Sequence, residues 1–318
     1  GQALAGQTEI ESRYLSCAGL STRRQLIDRV REFEFDRILL HYSGYGYDRR
    51  GAPGWLAEAA AEVAGSNAGA ISVFFHELWV RSVPWRTPFY FAGKQKKVVR
   101  SLQELAAHCL TSTPGMQRSL KQNGGQVSLA PIPSTIPAGA PAAKNPEGLT
   151  AIIFGQAHTR ERCVAAHRAL LRTGQLARVK LAGKDASESS QDHRLADSLI
   201  PGRVSSFGDL SPSQIAGEFA SSDLSLSFYP LDYLTKSTTV MAAFASACPV
   251  LLPSLKALEP FEPRPPVLQW RGEKLVRSQL EEAGRASRAW YEECADWSRA
   301  CAAVARALGA ASPLESPA

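Results

Sequence analysis

Apolar positions along the chain fall into short runs separated by longer stretches in which they recur every three or four residues. The runs at 14–18, 37–42, 71–75, 108–111 and 127–130 have the length and content of buried strands, as does a second series at 150–154, 177–182, 203–207, 223–228 and 249–252. Between them, 22–33, 55–64, 95–107, 160–172, 211–220 and 236–247 carry the amphipathic spacing of helices. Strands alternating with helices predict right-handed βαβ units and parallel sheets, so the fold class is α/β. Beyond Gly272 the pattern turns helical to about residue 308, with Trp290, Tyr291 and Trp297 as its large apolar anchors.

The proline-rich stretch PIPSTIPAGAPAAKNPEG (131–148) interrupts this alternation and predicts an extended linker. It separates an N-terminal Rossmann-like domain (1–137) from a C-terminal one (138–272), followed by a helical segment (273–318) that packs back across the domains. Two doubly wound domains joined in this way predict a central cleft faced by the carboxyl ends of both sheets, where open α/β sheets take their ligands.

Composition agrees with a soluble globular protein: 318 residues, 44% hydrophobic and 21% charged, with mean hydropathy −0.17. The longest apolar run, VMAAFASACPVLLP, falls short of the roughly 20 residues of a membrane span. The opening GQALAGQTEIES has neither a basic start nor an apolar stretch, so no signal peptide is expected and the location is cytoplasmic. Cysteines at 17, 109, 163, 248, 294 and 301 form no C-x-x-C, which predicts free thiols rather than a disulfide framework. Charge is uneven: residues 1–137 hold 16 Lys/Arg against 11 Asp/Glu, and the remainder 20 against 19. Within the first half, RSVPWRTPFYFAGKQKKVVR (81–100) has six cations and no acid, so this half is expected to meet something anionic.

Candidate chemistry sits where strands run out. HYSGYGYDRRGAPGW follows the second predicted strand; its glycines allow close backbone approach, and Tyr45, Tyr47, Arg49 and Arg50 can stack on rings and grip anions. In ISVFFHELW, His76 and Glu77 stand at a strand end as a candidate acid/base pair. Position 80 is Val80, so H-E-x-x-H is not completed, and no D-x-D stands at a strand end; no metal and no cofactor are expected. Trp85 and Arg86 belong to the basic aromatic segment, which suits an anionic membrane surface or lipid phosphate. RNA would also meet cations interleaved with aromatics, but none of the common RNA-binding signatures is present, and no nucleic-acid partner is expected. In the second half, IIFGQAHTRERC places Gly155 before a helix start with Arg160 or Arg162 near it, and KLAGKD sets Lys184 at the next strand end. YLTKSTTVMAAF puts Lys236, Ser237 and Thr238 in the first turn of a helix, a nest for a diphosphate unless Ser237 is only an N-cap.

Taken together, LLHYSGYGYDRRGAPGWL, FFHELWVRSVPWRTPFYF, CLTSTPGMQRSL, IIFGQAHTR and SFYPLDYLTKSTTVMAAFASACPVL resemble the GT-B glycosyltransferases of the family-four superfamily, of the bacterial exopolysaccharide and cell-surface glycan type. The resemblance spans about 36–252. It implies a GT-B fold, a nucleoside-diphosphate sugar donor held by the C-terminal domain, and a glycan or lipid-linked acceptor held by the N-terminal domain. By that resemblance Gly155, Arg160, Lys184, Asp232, Lys236, Ser237 and Thr238 face the donor. His76 and Glu77 carry catalysis, and Tyr45, Tyr47, Arg49, Arg50, Trp85 and Arg86 line the acceptor side, with the enzyme peripheral on the inner face of the plasma membrane. Many members carry two glutamates eight positions apart at the donor helix. Here Ala242 takes the second place and Leu234 stands eight before it, with Asp232 as a substitute for the first. The alternative is therefore a GT-B-like protein that binds a sugar nucleotide or glycan without transferring it.

Overall fold

The computed structural model describes residues 12–17, 19–66, 70–80, 87–229, 231–255 and 261–309. The chain divides into two compact units, Gly1–Pro131 with Trp297–Ala318, and Ile132–Asp296.

In the first unit, α1 (Arg23–Arg31) starts on Thr22, which closes a reciprocal capping box with Gln25. Next come β1 (Ile38–Tyr42), α2 (Gly44–Tyr47), α3 (Gly54–Ser66), β2 (Ile71–Phe75), α4 (Thr87–Leu105), β3 (His108–Thr111), α5 (Pro114–Lys121) and β4 (Val127–Leu129). The four strands pair in parallel in the order β1-β2-β3-β4. Central β2 is buried at all five positions, as a strand covered on both faces must be, and Val73 and Phe75 pack with Tyr42, Leu56, Val99 and Leu102 in one core.

The second unit runs β5 (Leu149–Phe154), α6 (Ala157–Ala166), α7 (Arg168–Leu171), β6 (Leu176–Ala182), α8 (Gln191–Asp197), β7 (Val204–Phe207), α9 (Pro212–Ala220) and β8 (Leu224–Leu226). A 3-10 turn (Leu231–Lys236) then leads to α10 (Thr238–Ala245), β9 (Val250–Leu252), β10 (Leu268–Gln269) and α11 (Arg277–Cys294). Its parallel sheet has the order β10-β9-β8-β5-β6-β7 around a core that includes Ile153, Val164, Val179, Leu181 and Leu224. After α11 the chain returns to the first unit as α12 (Trp297–Ala307), where the Ser72 hydroxyl donates to the Ala307 carbonyl at 2.6 Å.

Several expectations change. The first predicted strand, 14–18, is not formed over its described part, 14–17. Leu15 and Cys17 pack on the core and Tyr14 stays exposed, so the alternation is real, but the segment joins no ladder. The helix expected at 95–107 begins already at Thr87 and ends at Leu105; within it Gln95 donates to the Arg50 carbonyl at 2.8 Å and accepts from Val80 N–H at 2.9 Å. The helix expected at 160–172 breaks at His167, whose Nε2 lies 3.0 Å from the Ser227 carbonyl. The continuous helical region after Gly272 is two helices divided at Ala295–Asp296. The stretch 131–148 has no regular structure, yet from Ile132 onward it lies on the second unit: Ser134 N–H donates to the Tyr291 hydroxyl at 3.2 Å, and Gly139 N–H to Ser246 Oγ at the same distance. None of the six cysteines is in a disulfide, as the spacing predicts; burial pushes Cys109 up to about 11 and Cys248 up to about 12. No helix of the described residues is long and apolar enough to cross a membrane.

Candidate functional site

The second sheet has a topological switch point. From β5 the chain winds outward through β6 and β7, and then β8 starts again on the other side of β5. The crevice outside the carboxyl ends of such strands is where α/β sheets bind ligands. Gly155 follows β5, Lys184 follows β6, and Lys236, Ser237 and Thr238 follow β8 at the entrance to α10, so the switch point gathers these predicted donor residues at one end of one sheet.

The first two of these loops are in backbone contact. Gly155 and Gly183 have φ of +148° and +119°, and a Cβ on Gly183 would lie 2.4 Å from the Gly155 carbonyl oxygen. Arg160 ties them together: Nη1 donates to the carbonyls of Gly155 (2.5 Å) and Lys184 (3.0 Å), while Nε donates to Asp192 Oδ2 (2.6 Å). Both ends of this ion pair are sealed from solvent, the Arg160 side chain being 0% exposed and that of Asp192 2%. Arg160 therefore reaches the site through the backbone it holds rather than with its own guanidinium.

Gln156 is the N-cap of α6 and gives it no side-chain cap; the Thr159 N–H bonds to the Gln156 carbonyl at 2.9 Å, and the N–H groups ahead of it are those a helix start offers to an anion. Lys184 is exposed, and Arg162, exposed as well, holds its guanidinium 4.7 Å above the Phe228 ring beyond β8. Ser237 is an N-cap, its hydroxyl accepting from Val240 N–H at 3.3 Å, and Lys236 lies 5.9 Å over the Tyr233 ring. The side chain of Asp232 lies outside the described residues. Leu234 and Ala242 are 2% and 0% exposed, so the two positions where the resemblance places glutamates are core positions. A cavity of about 260 Å³ lined by Lys144, Thr150, Arg178 and Lys180 lies at the amino-terminal ends of β5 and β6, away from all these loops, and geometry at the switch point outweighs it as a site.

At the carboxyl ends of β1 and β2, parallel register sets His41 beside Phe74 and Tyr42 beside Phe75, which brings the next residues together. His76 stacks on Phe74 at 4.5 Å and on His41 at 5.2 Å, and His41 Nδ1 lies 2.9 Å from His76 Nε2. One nitrogen must donate and the other accept, so the two imidazoles share a single proton site between them. The surrounding chain keeps His41 below the ordinary imidazole value by desolvation. Glu77 accepts from Ser43 Oγ at 2.9 Å. His41 and Ser43 were not singled out from the sequence; only the β1–β2 register reveals them.

The glycine–tyrosine loop is tightly folded. Asp48 Oδ1 accepts from the N–H groups of Arg50 (2.8 Å) and Ala52 (3.2 Å), and Gly51 takes φ +68° against Gln95. Tyr47 turns inward, donating to the His41 carbonyl at 2.7 Å and packing on Tyr42 and Trp55. Tyr45, Arg49 and Arg50 stay exposed, with the Arg50 guanidinium 5.2 Å over Phe91. Trp85 and Arg86 lie outside the described residues. Among those described, no three His, Cys, Asp or Glu side chains gather as metal ligands.

No family model and no curated protein matches the chain. Solved structures do. HepE from Anabaena, in complex with UDP, is similar at 15% identity and TM-score 0.57, over 90% of this chain and 81% of that one. Sucrose-phosphate synthase from Thermosynechococcus elongatus is similar at 14% identity and TM-score 0.55, over 92% and 79%. A UDP-forming α,α-trehalose-phosphate synthase from Burkholderia xenovorans gives 13% and 0.55, over 90% and 77%. With its two parallel-sheet units and carboxyl-terminal helices, the chain has the fold of the GT-B glycosyltransferases.

Proposed function

We propose that the protein is a glycosyltransferase that moves a hexose from a nucleoside-diphosphate sugar to a glycan or lipid-linked saccharide in surface polysaccharide synthesis, at the cytoplasmic face of the membrane. The observation that carries this reading is the switch point of the second sheet. There the start of α6, Lys184 and the Lys236–Ser237–Thr238 turn each follow the carboxyl end of a strand of one sheet, which supports the reading, as does a fold whose neighbours include a UDP complex.

Breaking the anomeric C–O bond leaves the bonding electron pair on the departing diphosphate, adding a third negative charge to the two it already carries. In this reading fixed cations and helix N–H dipoles take up that charge without reorganising, so no metal is required. Gly155 and Gly183 let the backbone approach the phosphates closely, and Arg160, through its two carbonyl bonds, keeps that backbone in place. His76 is the polar group that meets the transferred sugar. Its bond to His41 fixes which ring nitrogen is offered. Tyr45, Arg49 and Arg50, the exposed residues of the first unit's loop, belong to the acceptor side.

One observation favours a second reading, in which the protein binds the sugar nucleotide without transfer: α10 has no carboxylate in its first turn, and Leu234 and Ala242 are buried. Incubation of the chain with each nucleoside-diphosphate sugar and a bacterial lipid extract separates the two. A transferase releases nucleoside diphosphate, and His76→Ala abolishes the release while binding is kept. Binding with no release in the unaltered chain leaves the second reading.

A further inference from the structure

Helix α4 in the first unit carries a face that none of the loops above uses. Phe89, Tyr90, Gly93, Lys94, Lys96, Lys97 and Arg100 are all exposed, while Gln95, Val98, Val99 and Leu102 point into the core. At 100° per residue the exposed positions fall within one sector of roughly 160°. Phe89 and Tyr90, 42% and 72% exposed, form an edge-to-face pair at 5.9 Å at the start of the helix, and the four cations follow them. From Leu78 to Gln103 the sequence contains no acid.

We infer that this face docks the protein on an anionic phospholipid surface, the two rings seated among the headgroups and Lys94, Lys96, Lys97 and Arg100 against the lipid phosphates. Two open aromatic rings beside a cation cluster are the pattern of a helix that lies in a membrane interface. Single-stranded RNA fits less well. It is held by aromatics spaced along a groove, whereas here both rings sit at one end of a convex helix surface. The inference rests on the membrane placement proposed above, but not on catalysis, and its test needs no sugar donor.

The test is sedimentation of the whole chain with vesicles of phosphatidylcholine alone, and of phosphatidylcholine mixed with phosphatidylglycerol. Binding is expected only to the anionic vesicles, and it falls as salt rises. Each basic side chain near such a surface contributes about fivefold, so Lys94→Ala with Lys97→Ala weakens binding by about 25-fold. Phe89→Ser with Tyr90→Ser weakens it further at fixed salt and leaves the salt dependence in place. All four residues are exposed, so thermal midpoints are expected to stay within a degree or so of the unaltered chain. Lys274→Glu, an exposed change in the second unit, leaves binding unchanged. Equal binding to neutral vesicles, an equal loss with Lys274→Glu, or binding to a homopolymer RNA but not to vesicles would each overturn the inference.

Discussion

Removing the carboxylate of Asp192 tests how the two glycine loops of the second unit are held. Arg160 is fully buried and makes three donations, to Asp192 and to the carbonyls of Gly155 and Lys184, while its Nη2 finds no partner. In Asp192→Ala the guanidinium keeps its charge in a site that water does not reach, and stranding a buried charge in this way costs about 3–5 kcal/mol. With a urea slope of about 2 kcal/mol/M, the midpoint should fall by about 1.5–2.5 M. The exposed pair Arg288–Glu292, at 2.8 Å on α11, is the internal control: Glu292→Ala should cost about 0.3–0.5 kcal/mol although its geometry is as good. Replacing both buried partners, Arg160→Met with Asp192→Leu, should recover part of the loss, because no charge is then left unpaired while the carbonyls of Gly155 and Lys184 still lose their donor. Urea titration of the three variants and the unaltered chain gives the stabilities, and hydrogen exchange at Gly155 and Gly183 reports whether the loops have loosened. A loss below about 1 kcal/mol in Asp192→Ala would refute the reasoning, since it would mean that solvent or another group compensates Arg160 at once.

Two further outcomes follow. Tyr42 is 0% exposed and its hydroxyl has no hydrogen-bond partner, so Tyr42→Phe removes a desolvated polar atom and should leave stability unchanged or raise it by about 1 kcal/mol, read by chemical denaturation; a loss above that would reveal a hidden partner. Burial lowers the values of His41, His108 and His167, with the Arg306 charge adding to it at His108 and the Ser227 carbonyl opposing it at His167. The unfolded chain then takes up protons at the ordinary value of 6.5 before the folded one does, so stability is complete above that pH and declines as pH falls through and below it. Thermal midpoints that stay flat or rise on acidification over that window would contradict these assignments.

Strand positions were legible because the run at 71–75 is apolar at every position but Ser72, without the polar alternation of a strand with one wet face, and Cys109 and Leu110 continue the pattern at 108–111. Tyr14 to Cys17 shows the limit: alternation records which side chains face the core, but not whether a neighbouring strand offers hydrogen bonds. The predicted donor loops came out on one sheet end because strand-loop-helix order already fixes that end, whereas the orientation of Arg160 could not be read. A cation one turn into a helix looks the same in sequence whether it faces a ligand or, as here, an aspartate 32 positions on. His41 escaped for a related reason. Its relation to His76 depends on the parallel register of β1 and β2, and nothing local to HYSGYG records that pairing. Likewise, the glycine–tyrosine loop reads as a display of aromatics, but Tyr47 is consumed in packing and in a bond to its own strand.

The central claim is that the switch point of the second sheet holds a nucleoside diphosphate, and isothermal titration of the whole chain with UDP, GDP, ADP and CMP tests it most directly. One diphosphate should bind, and Lys184→Ala and Lys236→Ala should each weaken it by about tenfold, as expected for loss of a charge-assisted bond of about 1.5 kcal/mol. Failure of every nucleotide to bind at millimolar concentration, or binding that neither substitution alters, would contradict it.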